Sequence, residues 1–149
     1  MLNEKKKQLS ELYATHITRF VSGFTKILAT YDLTDSQYWL LQIVEKEGRK
    51  TCSSLAETMD ITLSAVTNLS NKLVKKGLIE RIVPEHDRRT TFLQITEQGE
   101  RIIQQMIDRY TVVSEGMWTS FTEQELDLLI SSYRKMVANL EQAANKQDV

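Results

Sequence analysis

One cysteine, one proline and five glycines in 149 residues exclude several kinds of protein. The lone thiol, Cys52, cannot form an intrachain disulfide, which suits a reducing cytoplasm. So few turn residues argue against an all-β fold, which needs a turn about every 8–12 residues. No apolar run approaches the roughly 18 residues of a membrane span. The basic start, Met1 to Lys7, leads into a polar helix-like stretch and not into the apolar core of a secretion signal. No membrane partner is expected. There is no glycine-rich phosphate loop and no Ser-His-Asp or Cys-His arrangement, so an enzyme is not expected. His16, His86 and Cys52 are the only soft ligands and too few for a zinc site, so neither metal nor cofactor is expected.

Hydrophobic residues make up 41% and charged residues 26%, which fits one globular domain over residues 1–149. The net charge of −1 hides an uneven distribution. Between Asn68 and Arg89 stand Lys72, Lys75, Lys76, Arg81, Arg88 and Arg89 against Glu80, Glu85 and Asp87, a local excess of +3. From Glu97 onward the chain is acidic. A basic face on a near-neutral protein can still supply phosphate contacts.

Apolar residues recur at helical spacing from Leu9 to Leu28, which predicts a first amphipathic helix. Thr34 and Gln37 have the form of a capping box, in which each side chain satisfies the other's backbone donor. The helix they open carries Trp39, Leu40, Ile43 and Val44 inward. Thr51 caps a short helix over Cys52 to Met59, Asp60 and Ile61 form a turn, and Thr62 caps a fourth helix. Leu78 to Val83 and Thr91 to Ile95 predict two strands joined by a loop from Pro84 to Arg89. Thr96 caps a fifth helix bearing Ile102, Ile103, Met106, Ile107 and Tyr110. Thr122 with Glu125 opens the last, and Asn145 to Val149 are expected to fray. The fold class is therefore mainly α with a small β-hairpin (α+β).

The fourth helix splits cleanly on a 3.6-residue wheel. Val66, Leu69, Ser70 and Leu73 fall on one face, with Val74 beside them. Ser64, Asn68, Asn71 and Lys75 fall on the other, flanked by Ala65, Thr67 and Lys72. Short polar side chains near the helix start let it approach base edges, where Asn can pair with adenine. Lysines further along reach phosphates. Leu55, Ala56, Met59, Ile61, Val66 and Leu69 have the spacing of two helices crossing through a short turn. The hairpin then offers Arg88 and Arg89 on a tip, where an arginine can enter a narrow minor groove. Asp87 is expected to hold a guanidinium through a bidentate pair.

The segment from Leu33 to about Gly99 resembles the MarR family of bacterial regulators. The matching residues are Ser64-Ala65-Val66-Thr67, Leu73, Lys76-Gly77-Leu78-Ile79, Asp87-Arg88-Arg89 and Leu93 through Gly99. Asp60 departs from the pattern, since glycine often stands in that turn, but Asp tolerates the left-handed conformation well. The resemblance implies a homodimeric winged helix-turn-helix protein that binds double-stranded DNA, more often as a repressor. It implies a DNA-binding lobe over 33–96 and a helical dimerisation region over 1–30 and 97–145. Thr62, Ser64, Ala65, Thr67, Asn68, Asn71, Lys72, Lys75, Arg88 and Arg89 would face DNA, with Asp87 as a brace. Leu9, Leu12, Tyr13, Ile17, Leu126, Leu129, Ile130, Tyr133 and Val137 would form the dimer interface. Phe20, Phe24 and Tyr38 would line a pocket for a small aromatic effector, although such a stripe also reads as plain core. Some relatives sense oxidants with an N-terminal cysteine, but Cys52 lies at the third helix and reads as structural. The alternative function is a winged helix that binds another protein. It would need an apolar or acidic outer face on the fourth helix.

Overall fold

Side-chain caps set where most of the helices begin. In the computed structural model, which describes residues 1–147 and side chains through residue 143, the order is α1 (Leu2–Ala29), α2 (Asp35–Glu47), β1 (Lys50–Thr51), α3 (Cys52–Met59), α4 (Leu63–Lys75), β2 (Ile79–Ile82), β3 (Phe92–Ile95), α5 (Glu97–Glu115), a 3-10 turn (Gly116–Trp118) and α6 (Glu123–Gln147). The fraying expected at Asn145 to Val149 concerns side chains and terminal residues outside this description. The chain divides into two compact units, Met1–Thr111 and the part from Val112 onward.

The capping box at α2 is complete. The Thr34 hydroxyl accepts from the Gln37 N–H at 3.2 Å, and the Gln37 carboxamide accepts from the Thr34 N–H at 3.1 Å. Gln37 is therefore a buried polar residue with its oxygen satisfied. Thr51, Thr62 and Thr96 cap α3, α4 and α5 by accepting from the N–H groups of Ser54, Ala65 and Gly99, each at 3.1 Å. Thr122 and Glu125 exchange the same pair of bonds at the start of α6. There the Thr122 N–H and hydroxyl both donate to the Glu125 carboxylate and hold its pKa below the usual range.

Three connections end in the same way. The Leu33 N–H returns to the Leu28 carbonyl, Ile61 to Ala56, and Leu78 to Leu73, each a six-residue closure. The residue before each is left-handed: Asp32 at φ 55°, Asp60 at φ 51° and Gly77 at φ 71°. This is the Schellman stop, which satisfies the last helical carbonyls.

The core of the first unit joins Leu28 of α1, Tyr38, Leu41 and Val44 of α2, Leu55 and Met59 of α3, Val66 and Leu73 of α4, Leu93 of β3 and Met106 of α5. The sheet has three strands in the order β1-β3-β2, all antiparallel. Sequence reasoning anticipated the β2–β3 hairpin but not β1, which is two residues long and carries no alternation. It also placed the side chain of Trp39 wrongly. Trp39 is 46% exposed, because it lies across the helix from Leu41 and Val44, and Gln37 and Tyr38 take the inward places instead. Ile61 is 36% exposed, since the turn contributes its backbone and not its side chain to the crossing. Ile107 is also exposed, while Ile103 and Met106 carry the buried stripe of α5.

Much of the apolar stripe of α1 stays uncovered. Ile27 and Leu28 are buried, but Leu9, Leu12, Tyr13, Ile17 and Val21 are exposed. In the second unit, Ile130, Tyr133, Val137 and Leu140 are exposed and Leu126 and Leu129 half-buried.

Candidate nucleic-acid interface

The wheel of α4 is realised as expected. Val66, Ser70 and Leu73 are fully buried, and Leu69 and Val74 pack against the core. Ser70 is accommodated because its hydroxyl donates to the Thr67 carbonyl at 3.0 Å and lies 4.0 Å from the Cys52 sulfur. Cys52 is half-buried beside it, a structural placement. Ser64, Thr67, Asn68, Asn71, Lys72 and Lys75 are exposed, and Ala65 is half-buried among them.

Side-chain bonds sort these groups by what they can still offer. The Thr67 hydroxyl donates to the Leu63 carbonyl at 2.9 Å, which leaves its lone pairs outward. The Thr62 oxygen caps Ala65, which leaves its O–H to donate at the helix start. Ser64 and Asn68 form no side-chain hydrogen bond among the described residues. Asn71 is different. Its carboxamide oxygen accepts from the guanidinium of Arg81 on β2.

Sequence reasoning counted Arg81 only as local charge. In the sheet register Arg81 pairs with Leu93, so it shares the face of Ile79 and Leu93 that packs on the helices. Its long side chain emerges from that face to reach α4. Ile79-Glu80-Arg81-Ile82 does not alternate cleanly, so the sequence held little signal for this position.

The hairpin tip departs from expectation at Asp87. Its carboxylate accepts from the Arg89 backbone N–H at 3.1 Å and from the Thr90 hydroxyl at 2.6 Å. No guanidinium ion pair to Asp87 exists among the described residues. The reason is proximity: a side chain two residues upstream reaches the backbone N–H more directly than a long guanidinium can fold back. The Thr90 hydroxyl, then the Arg89 N–H, hold the Asp87 carboxyl below its usual range. Asp87 thus braces the turn, and Arg88 and Arg89 project into solvent without ion-pair partners among the described residues. Lys72 and Lys75 are likewise unpaired there, whereas Lys76 is tied to Asp32 at 2.9 Å. The outward face therefore carries cations whose charge is not internally compensated.

The rings of Phe20, Phe24 and Tyr38 adjoin one another, with centroids 6.3 Å apart for Phe20–Phe24 and 5.3 Å for Phe24–Tyr38. Tyr110 packs edge-on against Phe20 at 4.9 Å. Burial pushes the Tyr38 phenol up, and the Glu45 carboxylate adds to it. A surface depression elsewhere is lined by Glu45, Glu97, Glu100, Arg101, Ile103, Gln104 and Ile107 and includes none of these three aromatics. Among the described residues no cluster of His, Cys, Asp and Glu could hold a metal ion, and no helix is long and apolar enough to cross a membrane.

Comparison with known proteins gives a consistent result. The MarR family model matches residues 33–91. The chain is 32% identical to YsmB, an HTH-type transcriptional regulator of Bacillus subtilis, over 74% of this chain and 76% of that one. It is 28% identical to the HTH-type transcriptional regulator SarZ of Staphylococcus aureus, over 89% of this chain and 88% of that one. A MarR family protein from Bacillus stearothermophilus superposes with a TM-score of 0.80 at 25% identity, covering 95% of this chain and 99% of that one. A MepR mutant from S. aureus, bound to an oligodeoxyribonucleotide, shares the fold with a TM-score of 0.73 at 21% identity, over 89% of this chain and 97% of that one. The family consists of regulators and not enzymes. With its recognition-type helix and basic hairpin, this chain belongs to the MarR family and is a winged helix-turn-helix DNA-binding transcriptional regulator.

Proposed function

We propose that the chain works in the cytoplasm as a homodimeric repressor of a pseudo-palindromic operator. Each α4 enters a major groove, and each Arg89 reaches the adjacent minor groove. Half-sites lie about 10–10.5 base pairs apart. The observation that carries this reading is the uncompensated outward charge: Lys72, Lys75, Arg88 and Arg89 stand exposed and without ion-pair partners among the described residues, beside the short polar groups of Ser64 and Asn68. That face is neither apolar nor acidic, which counts against a protein-binding winged helix. The oligodeoxyribonucleotide bound to the MepR mutant agrees with it.

The uncovered stripes of α1 and α6 supply the surface for the second copy. A small aromatic effector that prefers one spacing of the two reading heads would release the operator by shifting that equilibrium. Its contacts would come from Phe20, Phe24 and Tyr38.

The test is a mobility shift with the gene's own upstream DNA across a salt series. Arg89→Ala is expected to weaken binding and to reduce the salt slope by about one. Equal affinity and slope for parent and variant remove the hairpin from the interface. A parent that shows no salt-sensitive shift overturns the operator reading.

A further inference from the structure

The proposed reading helix and the helix that carries the apolar stripe meet at one turn. α4 closes on its C-cap, Lys76, and α1 closes through Thr30 to Asp32. The Lys76 ammonium donates to the Asp32 carboxylate at 2.9 Å and to the Asp32 backbone carbonyl. Among the described residues these are the only hydrogen bonds between α4 with its cap and α1 with its closing turn. The Asp32 side chain is 97% exposed, so the ion pair alone contributes little. The carbonyl bond is different, because it grips the main chain of the turn, at an oxygen that the closure from Leu33 to Leu28 does not use. It is charge-assisted, and the C-terminal end of α1 favours a cation. Two residues earlier, Arg109 of α5 donates to the Thr30 hydroxyl at 2.8 Å. Residues 30–32 thus join α1, α4 and α5.

A joint at this place has leverage. α4 has 13 residues, so its first turn lies roughly 20 Å from Lys76. A swing of the lobe by about 10° displaces that end by ~3.5 Å, close to the ~3.4 Å between successive base pairs. Unlike Lys72 and Lys75, Lys76 spends its ammonium inside the chain, on Asp32. We propose that Lys76 is a positioning residue for operator binding: it fixes α4 against the end of α1 and so sets the distance between the two reading helices of the dimer. The inference rests on the homodimeric operator reading and deepens it.

The test places a spin label at the exposed Ser64→Cys of the full-length chain, after Cys52→Ser removes the native thiol, and measures the label-to-label distance in the DNA-free dimer. The labelled parent is expected to give one narrow distance. Lys76→Met should widen the distribution by up to about 7 Å, each reading helix contributing the swing above. Lys76→Arg, which can still donate to the carbonyl and the carboxylate, should restore the parental width. In a mobility shift, Lys76→Met should weaken operator binding about 3- to 10-fold, because unfixed helices must be ordered on binding, while the salt slope keeps the parental value. If Lys76→Met lowers helical content by circular dichroism, Lys76→Gln, neutral and shorter, takes its place with the same expectation. A distribution as wide in the parent as in the variant overturns the inference. So does a lower salt slope in the variant, the mark of a phosphate contact. In both cases a salt-sensitive shift by the parent leaves the proposed function standing. A parent with no distance between copies overturns both.

Discussion

A methyl group on Gly99 would stand 2.3 Å from the carbonyl oxygen of Leu78 and 2.7 Å from a side-chain carbon of Ile95. The same carbonyl accepts the Thr96 N–H at 3.0 Å, and the Thr96 hydroxyl donates to the Gly77 carbonyl at 2.6 Å. The first turn of α5 therefore lies directly on the backbone entering β2, and only a residue without Cβ fits. Gly99→Ala should destabilise the fold by about 1–3 kcal/mol, the usual cost of forcing atoms into a packed site. The measurement is a urea unfolding curve, with a lower midpoint and an unchanged slope. An unchanged midpoint would show that the contact relaxes at no cost and does not anchor the hairpin.

Asp60 ends α3 in the left-handed region, at φ 51° and ψ 47°, and sets the angle at which α4 leaves. A β-branched residue there meets the full steric penalty. Asp60→Val should cost about 1–2 kcal/mol, whereas Asp60→Gly should stay within about 1 kcal/mol of the parent. Thermal melts of the two variants check this. Equal melting temperatures for Val and Gly would mean that the turn takes another conformation.

How much of this could be read beforehand depended on range. Periodicity and caps are local, so α3 was legible to the residue, from the Thr51 cap to the Asp60 stop, and the two faces of α4 were separated correctly. Contacts between distant segments leave no such trace. Lys50–Thr51 became a strand only because Leu93 and Phe92 came to lie beside them. Trp39 looked like core by composition, yet its angle on α2 turns it out. At the candidate site the spacing of Asp87 and Arg89 was legible, but not which atoms would bond. The backbone N–H and the Thr90 hydroxyl outcompeted the guanidinium. The Arg81–Asn71 link spans two elements and was not foreseeable from either one.

The Asp87 turn carries a pH signature. Its carboxyl titrates below the ordinary value of 3.8, chiefly because the Thr90 hydroxyl donates to it, and then the Arg89 N–H. A depressed folded pKa means that the turn is stabilised above the unfolded value near 3.8 and loses that contribution as pH falls through the lower folded value. The tip should therefore hold its shape across the neutral range. Following the Arg89 amide by NMR during acidification should show an inflection below 3.8, and Thr90→Ala should move it upward. An inflection at the ordinary value in the parent would mean that the brace is not formed in solution.

Leu12 on α1 is 62% exposed and Ile130 on α6 is 51% exposed, each within a stripe of apolar neighbours at helical spacing. A lone chain would present both stripes to water, where contiguous apolar surface favours association. Pairing two copies across a two-fold axis covers the stripes of both copies and closes the assembly. The full-length chain should therefore sediment as a dimer. Leu12→Glu and Ile130→Glu should each raise the dimer dissociation constant at least about tenfold, since each buries a carboxylate in an apolar interface. Helical content by circular dichroism should be retained in both, because neither residue belongs to the buried core of its own chain. DNA affinity should fall in parallel with dimer loss, as two half-sites are then no longer engaged together. A parent that sediments as a monomer, or a dimer indifferent to both substitutions, removes these stripes from the interface.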